Sequence, residues 1–382
     1  MDTPFPYSSY VTGKNFVSRK MDVNILGNLI SQGEHVMICE PPKTGKTSLV
    51  QQTLLNMKMQ GKAFTVGQFS ALNIRSAREF FLRLGSTVLK MAAGAPQEYA
   101  DLVKKYLPGT NFVFDRQAFS ERGEVLSLSW APDRDDAAAL LKLPYLMARD
   151  RGVRFILIVD DFHFLDCLEK PEEVLVPLSA SMKEMREERL FSYVFVGSGV
   201  NAMQRIFRSG HHFARLVERV RLSPIDMKEM ADHVMKGFLA GGKVISAELM
   251  SGACNLFQGH PWYINQLASI CDSMTRGYIM EPVLVDALSC VLALHEPRFQ
   301  AVMNDLTTHQ VNLLRACVDG VTRLSSADMI RKYGLNSSAN VKRVKDALMK
   351  KEVLIFDEGD NPSFTDPLFE YWVRKYYFEK DV

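Results

Sequence analysis

One short stretch limits the folds open to this 382-residue chain. His35-Val36-Met37-Ile38-Cys39 is an apolar run bounded by Gly33 and by Pro41-Pro42, and it reads as a buried strand. From about Lys46, the spacing of Leu49, Val50, Leu54 and Leu55 reads as a helix. Between them stands Pro41-Pro42-Lys43-Thr44-Gly45-Lys46-Thr47. A strand, a loop ending in Gly-Lys-Thr and a helix together cradle phosphate, because loop N–H groups face the anion and the helix start adds its positive dipole end. The candidate nucleotide-binding residues are therefore Pro42, Lys43, Thr44, Gly45, Lys46, Thr47 and Ser48. Lys46 sets a cation against the β- and γ-phosphates, and the Thr47 hydroxyl suits magnesium. A Gly-Lys-Thr at a helix start also arises by chance. Glu40 stands where such loops usually begin with glycine, and its carboxylate either faces the phosphates or points away.

A second run supports the first. Phe155-Ile156-Leu157-Ile158-Val159 is apolar throughout, as suits a strand covered on both faces, and it ends in Asp160-Asp161. An acid at the carboxyl end of a buried parallel strand lies in the ligand crevice of such sheets. Asp160 is expected to hold magnesium, directly or through water. Asp161 is the candidate to polarise an attacking water, or else a structural, helix-capping carboxylate. His163 reads as loop packing. Ser198, in Val196-Gly197-Ser198 at the end of the next strand, is a candidate sensor of the γ-phosphate; a turn serine would look the same. Arg205, Arg208, Arg215, Arg219 and Arg221 follow, with Arg208 or Arg215 favoured to reach a phosphate and the rest read as surface ion-pairing residues.

The remaining pattern sets the organisation. Phe16–Ile30 and Ser76–Met91 read as helices, Ala63–Phe69 and Phe191–Val196 as strands, and Ala137–Arg149 as a helix. Residues 95–136 read as an irregular insertion with a short strand at Glu124–Leu128. Strands separated by helices argue for a mostly parallel α/β sheet. After Ser223-Pro224 the strands stop, and Met227–Leu239, Ser246–Phe257, Pro261–Met274 and Glu281–Leu292 read as an all-helical region. From about Leu306, three helices (Val311–Val318, one capped by Ser325-Ser326-Ala327-Asp328, and Ser338–Lys350) precede a strand, a polar turn and a strand, Val353–Thr365, which suits a winged helix. The expected division is an α/β domain at 1–222, a helical lid at 223–304 and a winged helix at 305–382. The six cysteines form no CxxC pair, which argues against zinc and against a disulfide framework. A net charge of +2 gives no global attraction to nucleic acid, so any basic surface is local. With no signal-like N-terminus and no apolar run of spanning length, the expected location is the cytoplasm, away from membrane.

These motifs together resemble the archaeal-type ATPase family, a STAND-class branch of the AAA+ superfamily that also occurs in bacteria. Phe16-Val17-Ser18-Arg19 is similar to the family's F-x-G-R-E box, with Ser18 and Lys20 in place of Gly and Glu. Pro41 and Gly45-Lys46-Thr47-Ser48-Leu49 match its P-loop, Gly259-His260-Pro261 its GxP motif, and Phe364-Thr365-Asp366-Pro367-Leu368-Phe369 with Trp372 the end of its winged helix. The resemblance implies an AAA+-like parallel sheet core followed by a helical lid and a winged helix. It further implies ATP or ADP with Mg2+ as cofactors, Arg19 and Pro261 beside the nucleotide, and ATP used as a conformational switch. His260 would donate to a phosphate or be a neutral structural histidine.

Three functions stay open at this level. One is a slowly hydrolysing Mg·ATP switch. The second is a nucleotide-binding scaffold without turnover, and the third a DNA-binding regulator. Lys342, Arg343, Lys345 and Lys350 fall largely off the apolar face Val341-Val344-Leu348, so duplex DNA or a protein is the expected partner of the winged helix. Self-association is a further expected contact.

Overall fold

The computed structural model describes residues 4–208 and 212–380. The chain forms two compact units, one from Lys20–Glu40 and Gln52–Leu222, the other from Met1–Arg19, Pro41–Gln51 and Ser223–Val382.

The first unit opens with α1 (Lys20–Gln32) and β1 (Val36–Cys39). Helix α2 (Lys46–Met59) begins in the second unit and ends in this one. Then come β2 (Phe64–Ser70), α3 (Ala77–Ala92), α4 (Pro96–Tyr106), β3 (Phe112–Val113), α5 (Arg116–Arg122), β4 (Ser127–Leu128) and α6 (Arg134–Arg151). The unit closes with β5 (Arg154–Asp160), α7 (Glu172–Glu184), β6 (Phe191–Gly197), α8 (Val200–Ile206) and β7 (Glu218–Val220). Five strands form one sheet in the order β2-β5-β6-β1-β7, every pair parallel. In register, Ser70 pairs with Asp160, Val159 with Phe195, and Cys39 with Gly197. Glu40, Ser70, Asp160 and Ser198 therefore lie along one edge, at the carboxyl ends of the strands. Strands β1 and β6 are buried along their whole length, and β5 through all but its end residues, which is why they read as unbroken apolar runs.

Two features depart from the sequence pattern. Residues 95–136 are not irregular: they hold α4, α5 and the antiparallel pair β3–β4. Strand β7 carries Glu218 and Arg219 exposed and only Val220 buried, so it shows no apolar run; it is the sheet's edge.

A buried histidine braces this sheet. His35 accepts a hydrogen bond at Nδ1 from the Tyr193 amide (3.0 Å), which leaves Nε2–H to donate to the Tyr145 hydroxyl (3.1 Å). Burial, helped by Arg189, lowers its pKa from 6.5 to about 3. The unfolded chain therefore binds a proton below pH 6.5 that the folded protein refuses until about pH 3, and stability falls as pH falls through that window. Two pH units below the ordinary value, the loss is about 3 kcal/mol. His35→Asn keeps an acceptor for Tyr193 without titrating. Denaturation curves from pH 7.5 to 4.5 are expected to fall less steeply with pH in His35→Asn than in the wild type. Equal slopes would remove His35 as the cause.

The second unit contains α9 (Met227–Ala240), β8 (Val244–Ile245), α10 (Ala247–Leu256), α11 (Pro261–Met274), β9 (Tyr278–Ile279) and α12 (Glu281–Asn304). Next come α13 (Thr308–Val318), α14 (Ala327–Lys332), α15 (Ser338–Lys350), the antiparallel β10 (Leu354–Phe356) and β11 (Pro362–Phe364), and α16 (Pro367–Trp372). Side-chain caps set several starts: Asp226 for α9, Ser246 for α10, Thr307 with Gln310 for α13, and Ser337 for α15. The region after Ser223 is not purely helical, since β8 and β9 pair in parallel. Helix α12 runs twelve residues beyond Leu292, straight through Pro297. One continuous core extends from Phe5 through α9–α12 to Trp372 and Val373, so the helical and winged-helix regions share their interior. No helix is long and apolar enough to cross a membrane among the described residues.

Candidate nucleotide site

The phosphate loop is held in its shape from three directions. Lys43 (φ +62°) and Gly45 (φ +100°) take left-handed backbone, the geometry that turns successive N–H groups inward. The backbone at Gly45 favours glycine, and an added Cβ would also press on Arg19 Nη1 at 3.0 Å. Thr44 Oγ1 and Lys46 Nζ both donate to the Pro41 carbonyl, at 2.9 and 2.6 Å.

The second support is the N-terminal segment. Ser18 and Arg19 are both left-handed (φ +63° and +59°), which delays α1 to Lys20 rather than Phe16. Arg19 Nη1 donates to the Thr44 carbonyl (2.5 Å) and its Nε to the Ser223 carbonyl (2.7 Å). Arg19 thus clamps the loop backbone to the start of the helical region. Upstream, the Val11 amide donates to Ser48 Oγ (3.0 Å), so that hydroxyl anchors the segment. Phe5 is fully buried against Phe238.

The third support comes from Gly259-His260-Pro261. Gly259 sits at φ +73°, and Pro261 begins α11 at its first turn. Between them His260 is buried, and its Nε2 lies 3.1 Å from the Pro42 carbonyl. A carbonyl only accepts, so Nε2 carries the proton and donates. Burial lowers the pKa to about 4, although the Pro42 bond and Asp366 pull upward; Lys46 and Arg19 add to the lowering. His260 is therefore neutral at pH 7, and it grips the loop backbone. Trp262 Nε1 donates to the Tyr7 carbonyl (2.8 Å), tying α11 to the N-terminal segment. Lys43 Nζ lies 5.5 Å from the Trp262 ring centre.

These three elements enclose a pocket within the second unit. Arg19, Lys43, Gly45, Ser48 and Pro261 line it, together with Tyr7, Trp262 and Asn265. The structure thus brings the loop residues, Arg19 and Pro261 together. Tyr7, Trp262 and Asn265 are additions. Asn265 had a signal: it lies four residues from Pro261 and three from Trp262, hence on one helix face. Tyr7 had none, because its backbone carbonyl makes the contact.

The acids lie at the sheet edge of the first unit. Asp160 Oδ1 accepts the amide of Asp161 (2.9 Å). Asp161 is left-handed (φ +54°), and its Oδ2 accepts the Ser70 hydroxyl (2.7 Å). Ser70, at the end of β2, holds the Asp161 carboxylate by this bond, and no motif in the sequence marks it. His163 packs its ring on Gly199, where a Cβ would come within 2.6 Å. Ser198 is half-buried just past β6. Glu40 turns to β7, its Oε1 accepting the Leu222 amide (3.3 Å). Arg205 is engaged by Asp166 (2.6 Å), while Arg208 and Arg215 are exposed.

In the winged helix, Val341, Val344 and Leu348 are buried and Lys342, Arg343 and Lys350 exposed. Lys345 does not join them. It is half-buried, pairs with Asp360 in the wing turn and lies 3.9 Å from the Phe356 ring centre.

The chain has a parallel α/β core of the P-loop NTPase fold, followed by a helical region and a C-terminal winged helix. Residues 297–375 match a family described as a probable winged helix domain. The fold is similar to the Walker-type ATPase of Pyrococcus abyssi (TM-score 0.68, 14% identity, 97% of this chain and 99% of that one). It is also similar to the ORC2 protein of Aeropyrum pernix in its ADPNP-ADP complexes (TM-score 0.57, 14% identity, 95% and 93%). Among curated proteins, nothing matches the chain.

Proposed function

We propose that the protein binds Mg·ATP on the loop Pro42–Ser48 and uses it as a slowly hydrolysed conformational switch. The carrying observation is that this loop is gripped by His260 at Pro42 and by Arg19 at Thr44. A ligand moves an equilibrium only through differential affinity for its states. Contacts to the loop's own carbonyls supply that difference, because a loop that tightens on phosphate must keep or release them. The inward backbone and the glycine-favouring position fit a phosphate group, and the likeness to a protein solved with ADPNP and ADP supports a nucleotide. Glu40 is hydrogen-bonded to the Leu222 amide, which supports the reading that its carboxylate points away.

In this reading Lys46 would neutralise phosphate charge and the Thr47 hydroxyl would suit magnesium, which takes one or two protein ligands beside phosphate and water; Asp160, at the carboxyl end of β5, is the acidic candidate ligand. The ion would polarise the phosphate when bound. Asp161 orients the attacking water with Ser70 fixing its carboxylate, and Ser198 senses the terminal phosphate. Phosphate release by Asp161→Asn is expected to fall at least about 100-fold with nucleotide affinity kept. Unchanged release would return Asp161 to a structural role, and no release from wild type at saturating ATP would leave a scaffold without turnover.

The exposed Lys342, Arg343 and Lys350 suit phosphates of duplex DNA, with a protein partner as the alternative occupant of this face. Duplex binding at low salt, weakening steeply as salt rises, is the expected filter-binding result. No binding at low salt excludes DNA.

A further inference from the structure

The pocket beside the phosphate loop contains a polar group that phosphate chemistry does not use. Arg19, Ser48 and Trp262 line it with their polar atoms committed to backbone groups. Its apolar lining includes Phe16, Val17, Ile225 and Met230. Asn265, on the second turn of α11, also lines it, and its Oδ1 is buried without a hydrogen-bond partner. A buried acceptor left unmade is costly, so a ligand donor at this place is worth more than at an exposed one.

We infer that Asn265 is the base-reading residue, its Oδ1 accepting the exocyclic amine of adenine. This rests on the nucleotide reading above. A largely apolar slot with one buried, unpartnered amide oxygen is suited to orient a flat heterocycle. A carboxamide faces the adenine edge well, since it accepts from the amine and donates to the adjoining ring nitrogen. Hypoxanthine and guanine place a carbonyl oxygen where adenine has its amine, which sets acceptor against acceptor. With the carboxamide held in the orientation the structure shows, the unpartnered Oδ1 selects adenine over 6-oxopurines.

The test is calorimetric titration with ADP and IDP, which differ at that one substituent and share the phosphates. Wild type is expected to prefer ADP by roughly 10-fold or more. Asn265→Leu should erase the preference by weakening ADP while leaving IDP nearly unchanged. Asn265→Gln retains the carboxamide and should retain the preference, which covers the case in which the leucine variant folds poorly. Equal wild-type affinity for ADP and IDP overturns the inference, and so does an unchanged preference in Asn265→Leu. Lys46→Ala is the control for the underlying reading: it should weaken both nucleotides alike. If wild type binds neither nucleotide, the nucleotide reading and this inference fall together. If Lys46-dependent binding persists without base preference, only the role of Asn265 falls.

Discussion

Lys46→Ala is expected to weaken Mg·ATP binding by roughly 10- to 150-fold, the loss of one or two charge-assisted hydrogen bonds worth about 1.5–3 kcal/mol. Lys46 is 8% exposed and donates to the Pro41 carbonyl at the mouth of its own loop. Its charge is therefore held beside the phosphate cradle, and binding must draw the ammonium from that carbonyl to the ligand. Alanine also removes the brace on Pro41, but Thr44 Oγ1 still donates to the same carbonyl. The loop should keep its course. A thermal melt of the variant close to that of wild type, together with weak calorimetric binding, separates lost charge from lost structure. The nucleotide assignment is falsified if affinity is unchanged.

Much of this loop was legible because its physics is local. A buried strand, a glycine with positive φ and a helix-starting lysine are neighbours in the chain, and each leaves its mark on residue type. The same holds for β5 and β6, whose burial on both faces forces apolar runs. What was not legible depends on partners distant in sequence. Strand β7 is a strand because β1 offers it a ladder, not because Glu218-Arg219-Val220 prefers to be extended. Helix α12 continues through Pro297 because Phe299 and Met303 are buried in a core shared with the winged helix, and that packing outweighs the missing N–H. The direction of Glu40 was undecided from sequence because Leu222 lies 182 positions away. His260 turns to a carbonyl that only the fold brings within reach. Lys345 looked like its neighbours on the helix, yet the wing turn claims it.

The largest stability effect is expected at Asp366, where the winged helix meets the segment that grips the phosphate loop. Asp366 caps α16 by accepting the Leu368 and Phe369 amides at 3.0 and 3.2 Å. It also accepts the Tyr263 hydroxyl (2.9 Å) and Arg298 Nη2 (2.8 Å). Tyr263 is buried and stands 4.8 Å, ring to ring, from His260; burial first and then the Asp366 carboxylate hold its phenol protonated. A path of contacts thus runs from the Pro42 carbonyl through His260 and Tyr263 to Asp366 and α16. Asp366→Ala removes the cap and leaves the Tyr263 hydroxyl without its acceptor. The Arg298 partner is half-exposed and is discounted accordingly. The expected cost is about 2–4 kcal/mol, roughly 1 from the cap and the rest from the tyrosine bond. Denaturant unfolding followed by tryptophan fluorescence reads this region, since Trp372 lies in the core and Trp262 packs against it. Asp366→Asn keeps an acceptor for the cap and for Tyr263 while giving up the charge that pairs with Arg298, so it should fold with a smaller loss. If this path carries nucleotide state to the winged helix, Mg·ATP will change the protease sensitivity of residues 305–380 in wild type and change it less in Asp366→Asn. The same nucleotide-dependent change in both proteins would confine Asp366 to stability and route the coupling elsewhere in the shared core.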